Sequence, residues 1–181
     1  MFVEQLRKTA LAEANALGLR WGRQDGTIVT RAAVVAEARE WMNTPFMHQQ
    51  EIKGVGVDCG GLIRGVSVAL GLLPPDYRLR MPPSIQAYQM EPYGDIGEKM
   101  CDHYWIRKPL REALPGDVVT FQWLGGPARH AAFITDYPNA GWFGLVHSLN
   151  FNPGRVCEHR FDDTWKKRVI SAYSLPGVEQ P

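Results

Sequence analysis

The apolar residues of this chain change their spacing once, and that change constrains the fold more than any other feature. Before residue 71 they recur three and four apart. Val34, Val35, Ala38, Trp41 and Met42 form one such stripe, and Leu62, Ile63, Val66, Ala69 and Leu70 form another. The first predicts a helix over 31–42, capped by Thr30 and broken at Thr44-Pro45; the second predicts a helix opened by Asp58 and stopped by Gly71. After the turn signal Leu114-Pro115-Gly116-Asp117 the pattern becomes short β-branched and aromatic runs, at 118–123, 131–137, 142–148, 155–161 and 168–174. Helices first and about five antiparallel strands afterwards is an α+β order, with the Asp58 helix packed on the sheet.

The remaining segments are less patterned. Residues 2–17 read as an amphipathic helix carrying Phe2, Leu6, Ala10 and Leu17 on one side, and 21–26 as a linker. The stretch 48–56 is a polar, glycine-bearing loop, and 73–104 is irregular apart from a short helix expected at 84–90. These boundaries divide the chain into an N-terminal helix and linker at 1–30, one domain at 31–177 and a tail at 178–181. A chain of 181 residues with 45% hydrophobic and 22% charged side chains can build one core without staples. Its net charge of +1 excludes a dedicated nucleic-acid binder and an electrostatic membrane clamp. No apolar run reaches the length of a membrane span and no signal-peptide pattern opens the sequence, so a chain made in soluble form, without membrane insertion, is expected.

Cys59, Cys101 and Cys157 are odd in number and far apart, which argues against a disulfide framework or a zinc knuckle. Cys59 stands out because it follows Asp58 at the first position of a helix. Unpaired N–H groups and the positive end of the helix dipole gather there, so a lowered thiol pKa and a reactive thiolate are expected. Gly60 and Gly61 leave the sulfur uncrowded. A small buried apolar side chain would suit the same position, and Cys59 alone leaves both readings open.

A cysteine nucleophile needs a base, and the strands supply candidates. A two- or four-residue reversal at Pro138-Asn-Ala-Gly141 sets His130 opposite His147 or Leu149 and puts both histidines on one sheet face, roughly 5–8 Å apart. Such a pair suits a base and the group that orients it, rather than two unrelated surface histidines. His48 and Gln49, in the loop before the cysteine helix, are candidate oxyanion donors together with the helix-start N–H groups, and Trp123 is a candidate for lining a cleft. His103 and His159 are expected to be solvated. Zinc held by Cys59, His130 and His147 is disfavoured by the placement of Cys59 at a helix start; no cofactor or metal is expected.

These residues, taken together, resemble a known family. Asp58-Cys-Gly-Gly-Leu62, Pro115-Gly-Asp117, His130-Ala-Ala-Phe-Ile134 and Leu145-Val-His147 are similar to the NlpC-type cell-wall endopeptidases, most of all their tailed-phage branch. Shared with that branch are also Ala38-Arg-Glu-Trp41, Thr44-Pro-Phe-Met-His-Gln49, Lys53-Gly-Val-Gly-Val-Asp-Cys59, Trp165-Lys-Lys-Arg168 and Ala172-Tyr-Ser-Leu-Pro176. The resemblance runs from about residue 31 to 177. It implies a papain-like fold with Cys59 as nucleophile, His130 as base and His147 as the orienting third residue. It implies a peptidoglycan stem-peptide substrate, commonly cut between D-glutamate and diaminopimelate, and a place in a virion at a phage tail tip beside hub proteins. A structural hub component with an auxiliary or silent site is the alternative it leaves. Gly60 stands where cellular members usually carry serine, and Phe46 where they usually carry tyrosine.

Overall fold

The computed structural model describes residues 21–80, 96–123, 125–138 and 141–181. The helices expected at 2–17 and 84–90 lie outside these residues. Helix α1 spans Arg31–Arg39, and Thr30 caps it, its hydroxyl accepting the Ala33 N–H at 3.1 Å. A two-stranded hairpin follows, β1 (Glu51–Ile52) with β2 (Gly56–Val57), and leads into α2 (Cys59–Ala69). After α3 (Ile96–Tyr104) come β3 (Ile106–Lys108), β4 (Val118–Gln122), β5 (Ala128–Thr135), β6 (Gly144–Ser148) and β7 (Val156–Arg160), then the short α4 (Asp163–Lys166) and β8 (Val169–Ser174). The last six strands form one antiparallel sheet in the order β3-β8-β4-β5-β6-β7.

The sheet has an apolar layer on each face. Toward the helices, Val118, Phe133, Val146 and Val156 meet Val34, Ala38, Trp41, Leu62, Ile63 and Val66. On the other face, Val119, Phe121, Ala132, Ile134, Leu145 and Ala172 pack with Phe161 and with Trp165 of α4. Helix α2 depends on the first layer. Eleven residues are too few to hold a helix in water, whereas each fully buried Leu62, Ile63 or Val66 contributes roughly 1.5–3 kcal/mol. Gly65 leaves room for Trp41, since a methyl there would collide with its indole.

Several elements differ from the pattern-based expectation. Helix α1 ends at Arg39, and residues 40–43 turn instead, with Asn43 at φ 66°. Ala69 is exposed, and Gly65 and Ser67 take the buried positions. The sheet gains a sixth strand, β3, whose three residues at the edge are too few to show alternation. Helix α3 lies within the stretch read as irregular. The β5–β6 reversal is longer than two or four residues, its last pair being Thr135 with Gly144. Trp21 and Gly22 are packed rather than loose: Trp21 sits edge-on to Trp105 at 5.5 Å, and Gly22 N–H donates to the Leu72 carbonyl.

Asp117, from the Pro-Gly-Asp turn, ties α1 to the sheet. It is fully buried, with Arg31 Nη1 at 2.8 Å, Lys108 Nζ at 3.0 Å, and hydrogen bonds from the Ser174 hydroxyl and the Leu114 N–H. One carboxylate therefore joins α1, β3, β4 and β8. Asp117→Ala would leave two mostly buried cations facing each other, and the expected cost is about 3–5 kcal/mol in urea unfolding. A loss below about 1 kcal/mol would show that the cluster does not hold these elements together.

Candidate active site

Asp58 organises the start of α2. Its Oδ1 accepts the Gly61 N–H at 2.7 Å as the N-cap, and its Oδ2 accepts the Gln49 N–H at 2.7 Å, with His48 Nδ1 3.6 Å away. The loop 48–50 is thereby fixed against the helix end. It is the Gln49 backbone that is gripped, in a left-handed conformation at φ 61°. Gly61 has no room for a side chain, because a Cβ would collide with the Gln50 carbonyl oxygen. Beside Gly60 lies a charged cluster: Arg64 Nε donates to Glu51 Oε2 at 3.1 Å and to the Tyr77 hydroxyl at 3.0 Å, Tyr77 donates to Glu51, and Arg78 reaches Glu51 at 3.1 Å.

Cys59 is partly exposed at the helix tip, where its sulfur accepts the backbone N–H groups of Ala131 and Gly60. The expected low thiol pKa is not what the surroundings produce. Desolvation first, and the Asp58 carboxylate second, push the thiol up to about 11; the two N–H groups and Arg64 only partly oppose this. A helix end offers about half a unit charge, too little to offset both. The resting group is a thiol.

Ala131 N–H brings the sulfur onto β5 one residue from His130. The histidine itself alternates with Ala132 and Ile134, and so belongs to the sheet face away from α2. The sheet opens between the two sides. The β5–β6 ladder stops at Phe133–Val146, and β5 continues paired only to β4 while β6 continues paired to β7. Across this opening His130 Nε2 lies 2.7 Å from His147 Nδ1. The observed register, Ile134 opposite Leu145, is one of the two expected and gives both rings the same face. Ser148, next to His147, anchors β6 to the cysteine arm through a hydroxyl bond of 2.7 Å to the Val57 carbonyl.

A third imidazole completes the row, and here the expectation is corrected. His159 is half-buried and bonded into the row rather than freely solvated. Its Nε2 lies 2.8 Å from His147 Nε2, and its Nδ1 lies 2.9 Å from the Arg160 carbonyl. The signal was available, since β7 runs beside β6 and Leu145 opposes His159, but the β6–β7 register had to be known first. Aromatic rings wall the row. Trp165 lies 6.3, 4.9 and 5.0 Å from the rings of His130, His147 and His159, and Phe121 is 5.9 Å from His130. Trp123 is also brought to the site, 6.1 Å from His130, with the Arg168 guanidinium over its other neighbourhood at 4.7 Å. His103 is exposed and remote from this row, and Cys101 on α3 and Cys157 on β7 have thiols held up mainly by burial. Among the described residues no group of His, Cys, Asp or Glu side chains is arranged to hold a metal ion, and no helix is long and apolar enough to cross a membrane.

Desolvation inside the aromatic wall pulls His130 down to about 4, with the His159 charge adding to the effect and Asp58 opposing it. His147 is lowered well below 6.5 for the same first reason. Both rings are therefore neutral at pH 7. An unfolded histidine binds a proton near 6.5, and folded His130 refuses one until about 4. The unfolded state thus holds more protons across this window, and stability falls as pH drops from 6.5 toward 4. Thermal unfolding between pH 7 and 4 should show the decline, and His130→Gln, which cannot titrate, should make it shallower; equal slopes would count against a buried neutral His130.

No family model and no curated protein matches the sequence. Solved structures do match. The NlpC/p60 domain of the peptidoglycan hydrolase SagA superposes with a TM-score of 0.50 at 18% identity, covering 81% of this chain and 100% of that one. A lipoprotein-like NLP/P60 family protein from Staphylococcus aureus gives 0.53 at 15% identity, over 81% of this chain and 41% of that one. An NlpC/p60 family protein from Bacillus cereus gives 0.55 at 14% identity, over 80% and 40%. The chain spans the whole of the SagA domain and about two fifths of the other two proteins. At these identities the likeness is one of fold: this chain has the papain-like α+β architecture of NlpC/p60 domains.

Proposed function

We propose that the protein is a cysteine peptidase that hydrolyses amide bonds in peptidoglycan stem peptides, with Cys59 as nucleophile, His130 as base and His147 as the residue that orients His130. The observation that carries this reading is the meeting of the Cys59 sulfur with β5 beside His130, whose ring is backed at 2.7 Å by a buried His147. The shared fold supports it, and the SagA domain is named as part of a peptidoglycan hydrolase. The sequence motifs support the finer assignment, cleavage between D-glutamate and diaminopimelate by a component of a phage tail tip.

The chemistry follows from the neutral resting pair. As the thiol attacks the peptide carbonyl, its proton passes to His130, so the thiolate forms during attack rather than before it. Gly61 N–H is committed to Asp58 and Gly60 N–H to the sulfur. The Cys59 N–H then remains at the helix tip to stabilise the tetrahedral oxyanion, with the adjoining His48 side chain as a second donor. His130 returns the proton to the leaving amine, and water, activated by the same ring, releases the thioester.

Cys59→Ala should lower muropeptide release from purified diaminopimelate-type wall by about 10³-fold or more, with unfolding unchanged. Undiminished release would remove Cys59 from the mechanism. A second reading is favoured by one observation, the thiol pushed up to about 11: the site is silent, and the protein serves as a structural hub of a tail. Mass spectrometry of wall digested by the wild-type protein separates them. New fragments cut at a stem-peptide amide fit the peptidase, whereas intact wall together with stable binding to tail proteins fits the hub.

A further inference from the structure

We propose that His159 is the outer end of a three-imidazole relay, in which the proton leaving Cys59 is handed through His130 and His147 and the positive charge comes to rest on His159. This rests on the reading of Cys59 and His130 as nucleophile and base, and deepens it by adding a positioning residue that acts through two others.

The argument begins at a backbone carbonyl. The Arg160 oxygen can only accept, so His159 Nδ1 carries a hydrogen. In neutral His159 the Nε2 is then bare and accepts from His147, which makes His147 Nε2 the protonated nitrogen of that ring. His147 Nδ1 is left bare and accepts from His130 Nε2–H. By elimination His130 Nδ1 is bare, and it is the nitrogen that can take a proton from the thiol. One carbonyl at the end of β7 fixes the polarity of all three rings.

The same row can carry charge outward. The S–H bond of Cys59 breaks and the proton joins His130 Nδ1; the Nε2 hydrogen of His130 moves to His147 Nδ1; the Nε2 hydrogen of His147 moves to His159 Nε2. Three N–H bonds form, two N–H bonds and one S–H bond break, and the products are a thiolate and an imidazolium on His159. His130 and His147 finish neutral with their tautomers exchanged.

Placing the charge at the far end answers a difficulty in the site. Burial disfavours a cation on both His130 and His147. His159 is half-buried and reaches solvent, its proton on Nδ1 is held by a carbonyl, and the Trp165 indole lies 5.0 Å away, near enough for an imidazolium–π contact. The groups facing it from each side permit this. β6 presents neutral His147, with His130 beyond it, and α4 presents Trp165, behind which lies Arg168. Arg160 turns its guanidinium onto Trp142, Glu158 points to the other sheet face to meet Arg39 and Thr135, and Asp162 is committed to capping α4.

The test uses the pH dependence of Cys59 alkylation by iodoacetamide, read on the Cys59 peptide by mass spectrometry. Wild type should show a pH-independent plateau near neutrality, from alkylation of the thiol as the row takes up its proton, and a rise as pH approaches the thiol's own ionisation. His159→Gln keeps an acceptor for His147 but cannot hold the proton, and His159→Leu lacks both. Each should lower the plateau by about tenfold or more and leave the alkaline rise where it was. In a His147→Leu background, His159→Gln should add nothing. An unchanged plateau, a plateau and alkaline rise that fall together, or additive losses would overturn the relay. Absence of wall cleavage by wild type, with the plateau still dependent on His159, would instead count against the peptidase reading and leave the relay standing.

Discussion

The Asp58 carboxylate sets the geometry at the thiol and works against the thiol's ionisation at once. Its two oxygens hold the first turn of α2 and the 48–50 loop together, which fixes where Cys59 emerges. The same charge, in a desolvated setting, raises the thiol that follows it. A helix end contributes only about 0.3–1 kcal/mol to an exposed neighbouring charge, so placement there is no guarantee of a thiolate. In this site position and reactivity are separate problems. The helix start solves the first, and whatever removes the thiol's proton has to solve the second.

That division explains why the sheet opens where it does. The cysteine helix occupies one face, and the histidines project from the other among Phe121, Phe161 and Trp165. A continuous β5–β6 ladder would keep the two apart. Ending the ladder at Phe133–Val146 exposes the Ala131 N–H, which the sulfur takes, and lets His130 and His147 close across the space. The site is therefore a property of the interrupted ladder as much as of the residues, and Ser148, bonded to Val57, fastens the opened edge to the arm carrying Cys59.

Much of this was legible in the residues, for identifiable reasons. The caps Thr30 and Asp58 and the stop at Gly71 follow from local chemistry that tertiary structure rarely overrides, and each is present. The common face of His130 and His147 needed only the parity of the reversal, which survived even though the loop was longer than expected. Quantities that depend on distant groups were not legible. The thiol's shift depends first on burial, which the residues around Cys59 do not reveal by themselves. His159 reads as a polar side chain beside an arginine until β7 is laid against β6. The β3 strand is three residues long, two of them exposed, and without its partner β8 it has no pattern.

The histidine row also shows where such a site stores its direction. Side chains alone leave each imidazole two neutral tautomers, and a row of three could run either way. The Arg160 carbonyl removes that freedom, because a peptide oxygen cannot donate, and its location on β7 is set by the sheet and not by the identity of residue 160. What the chain must supply is a ring at 159 able to donate on one side and accept on the other, a buried ring at 147 to pass the polarity on, and a ring at 130 whose remaining nitrogen is left bare. Asparagine or glutamine at 147 could orient His130 but could not transmit a proton beyond it. The presence of three imidazoles in unbroken contact, within an apolar wall that penalises charge on the inner two, is thus an arrangement whose polarity and outward path come from the same strand order that places the thiol.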